Sequence, residues 1–297
     1  MDAWVTASLL GAGFQAGRFA LQKRLADTGL TPTGATYARF LWSAPLALGG
    51  VLALAWATGQ ALPVAPWAFW GYAALGGLAQ VLATVATVRL LTMRRFAVGV
   101  TVIKTEALLT AAMGFALLGE RLAAPALAAL SVGVLGLVLL SRPPRIEGAP
   151  AVAGGVALGL LAGLLFAVSG VSYRGATLAL PEGGALLRAG LTLAATTGLQ
   201  ALGMTLWMGW RGRREIGRVA RRWRATAPVG LLSAAGSACW FTGFALQSAA
   251  LVKGVGQVEI LLSLLLGRFA FGEVPSAREL VGMALLGASV LALALGS

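Results

Sequence analysis

Ten mostly apolar stretches, nearly free of charge, occupy almost the whole chain: 4–24, 33–57, 66–89, 96–118, 122–141, 151–173, 184–209, 226–249, 254–271 and 276–296. Each is close to the ~20 residues a helix needs to cross the hydrocarbon of a bilayer. In hydrocarbon no water satisfies the backbone, so a segment of this length must close its own hydrogen bonds as a helix. The fold class expected is an all-α integral membrane protein with ten transmembrane helices. Charged residues make up 11% of the chain, against about 25% in soluble domains. The connections are short, and none could fold as a soluble domain. The N-terminus, MDAWVTASLL, lacks the basic start of a signal peptide, so the first apolar run is read as a retained helix.

A second feature organises these segments. The stretch from Lys104 to Leu122, KTEALLTAAMGFALLGERL, returns from Gln257 to Pro275 as QVEILLSLLLGRFAFGEVP. Without gaps Glu106 falls on Glu259, Gly114 on Gly267, Gly119 on Gly272 and Glu120 on Glu273, an offset of 153 in a chain of 297 residues. Only ten residues are acidic, so the same pair recurring at the same spacing points to one unit written twice. The first unit would be 1–141, the second 151–297, and the loop 142–150, with its prolines and charges, would join them. Five helices per unit is an odd number, so the second must enter the membrane upside down. Inverted repeats of this kind are the architecture of many secondary transporters, whose substrates bind near the midplane between the repeats.

Arg and Lys set the orientation. One set of loops carries Lys23, Arg24, Arg89, Arg94, Arg95, Arg142, Arg145, Arg278 and seven arginines between 211 and 224, whereas the other carries Arg121, Arg174, Arg188 and Lys253. The first set should be cytoplasmic and both termini periplasmic. This asymmetry accounts for much of the net charge of +13, and nucleic acid is not an expected partner. Ile216, Val219 and Trp223 fall at helical spacing among the arginines of 211–224. That pattern suits an amphipathic helix on anionic lipid, or plain topology marking.

RFLWSAPL at 39–46, the Gly-Glu dipeptides closing the fourth and ninth segments, and the Gly-rich segments after them resemble the drug/metabolite transporter superfamily. The resemblance is to its EamA-like ten-helix carriers, and within them to YddG-type amino-acid exporters of the bacterial inner membrane. It implies a five-plus-five inverted repeat and outward movement of amino acids or similar small metabolites by alternating access. Carriers of cationic drugs belong to the same superfamily. Where many EamA-like sequences have proline in the fourth and ninth helices, this chain has Glu106 and Glu259.

Charge inside a bilayer is costly, which makes each such residue a functional candidate. Lys104 and Glu106 lie on the fourth segment, with Gln257 and Glu259 in the equivalent positions of the ninth. They can present both signs to a zwitterion, or form an internal ion pair that only holds helices together. A buried carboxylate can also exchange a proton, so coupling to a pH gradient is open. Gln15, Gln80 and Trp240 fall near the middle of the first, third and eighth segments. An aromatic wall with a few placed amides is how small-molecule sites are usually made, although each residue alone is also what helix packing uses. Arg18 and Arg39 lie toward the expected cytoplasmic side; snorkelling to headgroups is the favoured reading, and gating or attraction of anionic groups is the alternative. Glu120 and Glu273 are read as caps on the helices that follow them. The glycine stripes 155–159–163 and 13–17 are read as close packing surfaces.

The equipment of an enzyme is missing. The chain has no His, its aspartates are Asp2 and Asp27, and it lacks GxSxG and the Walker GxxxxGK. Metalloprotease, serine hydrolase, Asp-rich prenyl transfer and ATP-driven pumping therefore have no motif to rest on. No metal or cofactor is expected, and the lone Cys239 can form no intrachain disulfide. The rival to a carrier is a structural or receptor-like membrane protein without flux.

Overall fold

A computed structural model describes residues 2–27, 29–91, 103, 105–141, 150–262 and 276–296. Among these the chain is helical and has no strand. The helices are α1 (Ala3–Asp27), α2 (Pro32–Thr58), α3 (Trp67–Leu91), α4 (Glu106–Leu118), α5 (Ala124–Ser141), α6 (Pro150–Ala179), α7 (Ala185–Arg211), α8 (Arg213–Arg221), α9 (Trp223–Leu246), α10 (Ala249–Gly256) and α11 (Ala277–Leu295). Four spans are long and apolar enough to cross a membrane: Pro32–Thr58, Trp67–Leu90, Ala157–Ala179 and Trp223–Leu246. Shorter apolar helices accompany them at Glu106–Leu118, Ala124–Leu139 and Leu280–Leu295. The outer face is itself apolar: Leu75, Leu78 and Leu82 of α3 are 51%, 61% and 47% exposed. A soluble monomer rarely tolerates continuous patches of that kind, and a bilayer covers them.

The ends of the helices are written in the sequence. Thr31 caps α2 by accepting a hydrogen bond from the Gly34 amide at 3.0 Å, and Pro32 follows at the position where a missing N–H costs nothing. Gly119 ends α4 at φ 67°, a left-handed conformation that favours glycine, and the Glu120 amide then bonds back to the Gly114 carbonyl at 3.2 Å.

Two of the expected spans take a different form. The ninth was expected to be one helix over 254–271. The chain instead forms α10, turns at Gln257, and resumes as helix over 258–262. In the fourth, Thr105 is a turn residue and helix α4 begins at Glu106. The rest of these two stretches, including Lys104, Gly267, Gly272 and Glu273, lies outside the described residues.

Helix α3 packs along α6, α1 along α9, α5 along α11 and α2 along α7. α4 lies against α6 and α10, while α10 also touches α1 and α11. One large apolar cluster, including Trp4, Val51, Leu130, Phe244, Val252 and Leu293, fills the end of the bundle where α1 begins and α11 finishes. A second, with Leu25, Leu30, Tyr37, Phe40, Met208 and Val219, fills the other. Glu215 on α8 accepts from both the Thr31 amide (2.8 Å) and the Thr31 hydroxyl (2.9 Å), so the Arg-rich segment folds against the start of α2. The apolar face of α8 is turned inward: Val219 is fully buried and Ile216 packs on the second cluster. The protein therefore covers these two side chains, and the arginines form the outer face.

Small residues set the closest approaches. A Cβ on Gly230 of α9 would lie 2.2 Å from Cβ of Trp42 on α2, and one on Gly163 would lie 2.9 Å from the Ile103 carbonyl oxygen. Gly13, by contrast, meets nothing within 4 Å, so its half of the expected stripe is not a contact. Gly230→Ala should lower stability by about 1–3 kcal/mol, because α9 must move off α2. Gly198→Ala, with nothing within 4 Å of its new methyl, should leave the Tm unchanged or raised. Thermal unfolding in detergent checks both, and equal melting of the two variants would contradict the packing.

Candidate functional site: a closed polar pocket between the helices

The interruptions at Thr105 and Gln257 bring acidic residues into the middle of the bundle. Glu106 occupies the first turn of α4, where a carboxylate complements the free amides of a helix start. It is 5% exposed and forms an ion pair with Lys253 of α10, Nζ to Oε1 3.6 Å. Lys253 also lies over three rings, 5.1 Å from the centroid of Trp240, 5.5 Å from Phe166 and 6.0 Å from Phe244. Aromatic faces attract a cation through their quadrupole, most strongly where water is excluded. The ammonium group is thus held by a carboxylate and an aromatic cage.

Glu259, 2% exposed, follows the second interruption. Its Oε2 accepts a 2.7 Å hydrogen bond from Nε2 of Gln15 on α1. On the opposite wall, Nε2 of Gln200 donates to Gln80 Oε1 (2.9 Å) and to the Gly77 carbonyl (3.0 Å). The Tyr173 hydroxyl lies 3.0 Å from Gln80 Oε1 and from the Gly76 carbonyl. Arg39 reaches the floor from α2, donating through Nε to Ser233 Oγ (2.9 Å) and through Nη1 to Thr84 Oγ1 (2.8 Å). Arg18 donates to Gln22 on its own helix.

These groups line a small cavity of about 30 Å³, with Gln15, Arg39, Gln80, Glu106, Trp240 and Lys253 among its walls. By this measure a water molecule needs about 10–15 Å³, so the cavity has room for a water or two and not for an amino acid. The indole N–H of Trp240 is buried and has no hydrogen-bond partner among the described residues, which leaves a donor unspent beside the cavity. The walls supply both charges, several amide and hydroxyl groups and a bed of rings. That combination can recognise a small molecule carrying a carboxylate, an ammonium and an apolar part.

Of the residues singled out from sequence, Gln15, Gln80, Glu106 and Trp240 converge here, and Glu259 is joined to the group through Gln15. Gln257 is elsewhere. It is 1% exposed, its amide has no partner among the described residues, and its Oε1 lies where a Cβ on Gly133 of α5 would meet it at 3.0 Å. The turn at Gln257 sends its side chain toward α5 and α11, away from the pocket. Arg18 and Arg39 do not snorkel; they are 2% and 3% exposed and bond to neutral partners inside the bundle. Glu120, expected at the start of α5 as a cap, accepts a 2.8 Å hydrogen bond from Arg174 Nε at its Oε1.

Sequence reading missed Lys253, which it placed at a helix end. It also missed Tyr173, Phe166 and Phe244, which resemble any aromatic residue in an apolar run. A signal for Lys253 was present: it stands six residues before Glu259, in an apolar stretch with no other charge between them.

No protein-family model matches the chain, and no curated protein does. Solved structures do match, 26 chains in all, so the arrangement of helices is an established fold. One, described only as the crystal structure of a protein, is similar with a TM-score of 0.67 over 98% of this chain and 99% of its own, at 22% identity. At that identity the likeness concerns the fold alone.

Removing one member of a buried ion pair strands the other, at a cost of about 3–5 kcal/mol. Lys253→Met should therefore destabilise the protein strongly, and adding Glu106→Gln should recover most of the loss. Thermal unfolding of both single variants and the double variant checks this; additive losses would mean that the two side chains do not act as a pair.

Proposed function

We propose that the chain is a secondary carrier that moves a small zwitterionic metabolite, with amino acids the leading class, across the bacterial inner membrane by alternating access. The observation that carries this reading is the closed pocket. Both signs of charge, a spare donor and an aromatic bed meet in the middle of an apolar bundle, where an unneeded charge would be costly.

The repeat in the sequence supports the same reading. The offset of 153 carries α3 and α6 onto α9 and α1, and these are two of the pairs that pack along each other. It exchanges α2 with α7 and α5 with α11, which also pack as pairs. Ten spans in two inverted five-helix units are what such pairing fits, with both termini on the periplasmic side. Each interrupted helix then belongs to one unit, and the pocket lies between them, as in carriers built from inverted repeats. The cavity of about 30 Å³ fits a closed state. Substrate would enter when the units part toward one side and leave when they part toward the other. Ligand shifts that balance only as far as it binds one state better.

Uptake of labelled amino acids into liposomes containing only this protein tests the proposal, with and without an imposed pH gradient. Saturable flux is expected, and Glu106→Gln and Glu259→Gln should each lower it at least about tenfold while the protein stays folded. Flux that responds to the gradient would add proton coupling. Flux unchanged in both variants would make the glutamates structural. An absence of flux for every amino acid would overturn the substrate class, and an absence for cationic drugs as well would favour a receptor-like or structural role.

A further inference from the structure

The seven arginines between 211 and 224 are all exposed. The one acid among them, Glu215, is buried and engaged: it accepts from the Thr31 amide and hydroxyl, and its other oxygen pairs with Arg218 at 3.2 Å. Gly34 leaves the room that this carboxylate occupies, since a Cβ there would collide with it. α8 is therefore fixed to the start of α2, with Val219 fully buried beneath it. Arg214, Arg218 and Arg221 stand at i, i+4 and i+7, a spacing that puts them on one helical face. Among the described residues, the side chains of Arg214 and Arg221 meet no acid.

The helices on either side give the level at which this face lies. On α7, Leu199, Leu202, Leu206 and Trp210 follow one another at helical spacing and are exposed, an apolar stripe that ends at the tryptophan. α9 begins with the exposed Trp223 and carries the exposed Leu231 two turns on. Tryptophans at the ends of membrane spans sit at headgroup level, so α8 and its arginines are bracketed by two markers of that level. Each marker carries its own cation: the Arg211 guanidinium lies 4.6 Å over the Trp210 ring, and that of Arg224 lies 5.5 Å over Trp223. From α7 to α8 the surface passes from leucines through an indole to guanidinium groups, the order of acyl chain, interface and phosphate in a lipid.

We propose that the outer face of α8 is a docking surface for anionic phospholipid. Arg214, Arg218 and Arg221 hold the phosphates, and the acyl chains lie along α7 beyond Trp210. Guanidinium groups suit this task because their forked N–H groups match phosphate oxygens. Marking topology needs only positive charge on the chain; it needs neither a helix pinned by Glu215 nor arginines presented on one face of it. The attraction here is through charge, with the apolar side of α8 already spent on the protein. α8 touches α7, α9 and α2, so a bound lipid steadies the junction of three spans. The surface stands whether or not the central pocket transports anything.

Lipid selectivity measured at α8 tests this on the full-length protein in phosphatidylcholine nanodiscs. Cys239→Ser removes the native thiol, and Ala220→Cys, at an exposed position of α8, carries a fluorophore. Phosphatidylglycerol and phosphatidylcholine, each bearing a nitroxide near the headgroup, are compared as quenchers at equal mole fraction. Phosphatidylglycerol should be favoured at least about fivefold, the value of one arginine held at an anionic surface, and rising salt should lower the preference. Arg214→Gln, Arg218→Gln and Arg221→Gln combined should bring it to parity, whereas the same three positions changed to Lys should keep most of it. The four remaining arginines still mark topology, and the Tm in phosphatidylcholine should not change. Arg214→Gln alone should lower the preference in part, a reading that remains if the triple variant does not fold. The proposal is overturned if the two lipids quench equally or if the triple Gln variant keeps the preference. Equal quenching with a fluorescence change on adding an RNA homopolymer would overturn it in favour of a nucleic-acid surface.

Discussion

Glu106 and Lys253 set the terms for the rest of the bundle. A lone charge on a helix crossing a bilayer costs about 2.5–3.5 kcal/mol even on the mildest scales, and the pairing of these two offsets part of that cost. They come from helices far apart in sequence, and each meets the other because its span is interrupted. α4 begins at Glu106, after the turn residue Thr105, and α10 ends just before the turn at Gln257. The aromatic rings of Phe166, Trp240 and Phe244 then surround the ammonium group. Gln15 holds the second glutamate in place from α1.

The same pairing occupies the middle of the pocket. With the ammonium drawn to the carboxylate, too little space is left for anything larger than water. On the proposed reading, a substrate that carries both charges can replace each partner for the other. The pair then separates without leaving a bare charge behind. A neutral solute offers no such replacement, so the charge pattern of the pocket is also its selectivity.

Much of this was legible in the sequence, for physical reasons that can be named. Apolar length dictated helices, and the scarcity of charge made Glu106 and Glu259 conspicuous. Gln15, Gln80 and Trp240 stood out because polar or ring groups in the middle of an apolar run need a purpose. What was not legible depended on where a helix breaks. Nothing in VKGVGQVEI announces that the chain turns at Gln257, and that turn decides that Lys253 faces the pocket and Gln257 does not. Snorkelling was the natural expectation for Arg18 and Arg39, since a long side chain near the end of a span can reach water. The structure buries them instead: Gln22, one turn along α1, accepts from Arg18, and Thr84 and Ser233, from two other helices that no sequence window brings together, accept from Arg39. The ion pair of Glu120 was hidden in the same way, its partner Arg174 lying 54 residues away.

The most direct test of the account is an experimental structure determined with a bound amino acid such as leucine. The account predicts the ligand between Glu106 and Lys253, its ammonium at the carboxylate, its carboxylate near the lysine and the Trp240 N–H, and the two side chains moved apart to admit it. A structure in which the amino acid binds elsewhere while the Glu106–Lys253 pair stays closed would contradict it.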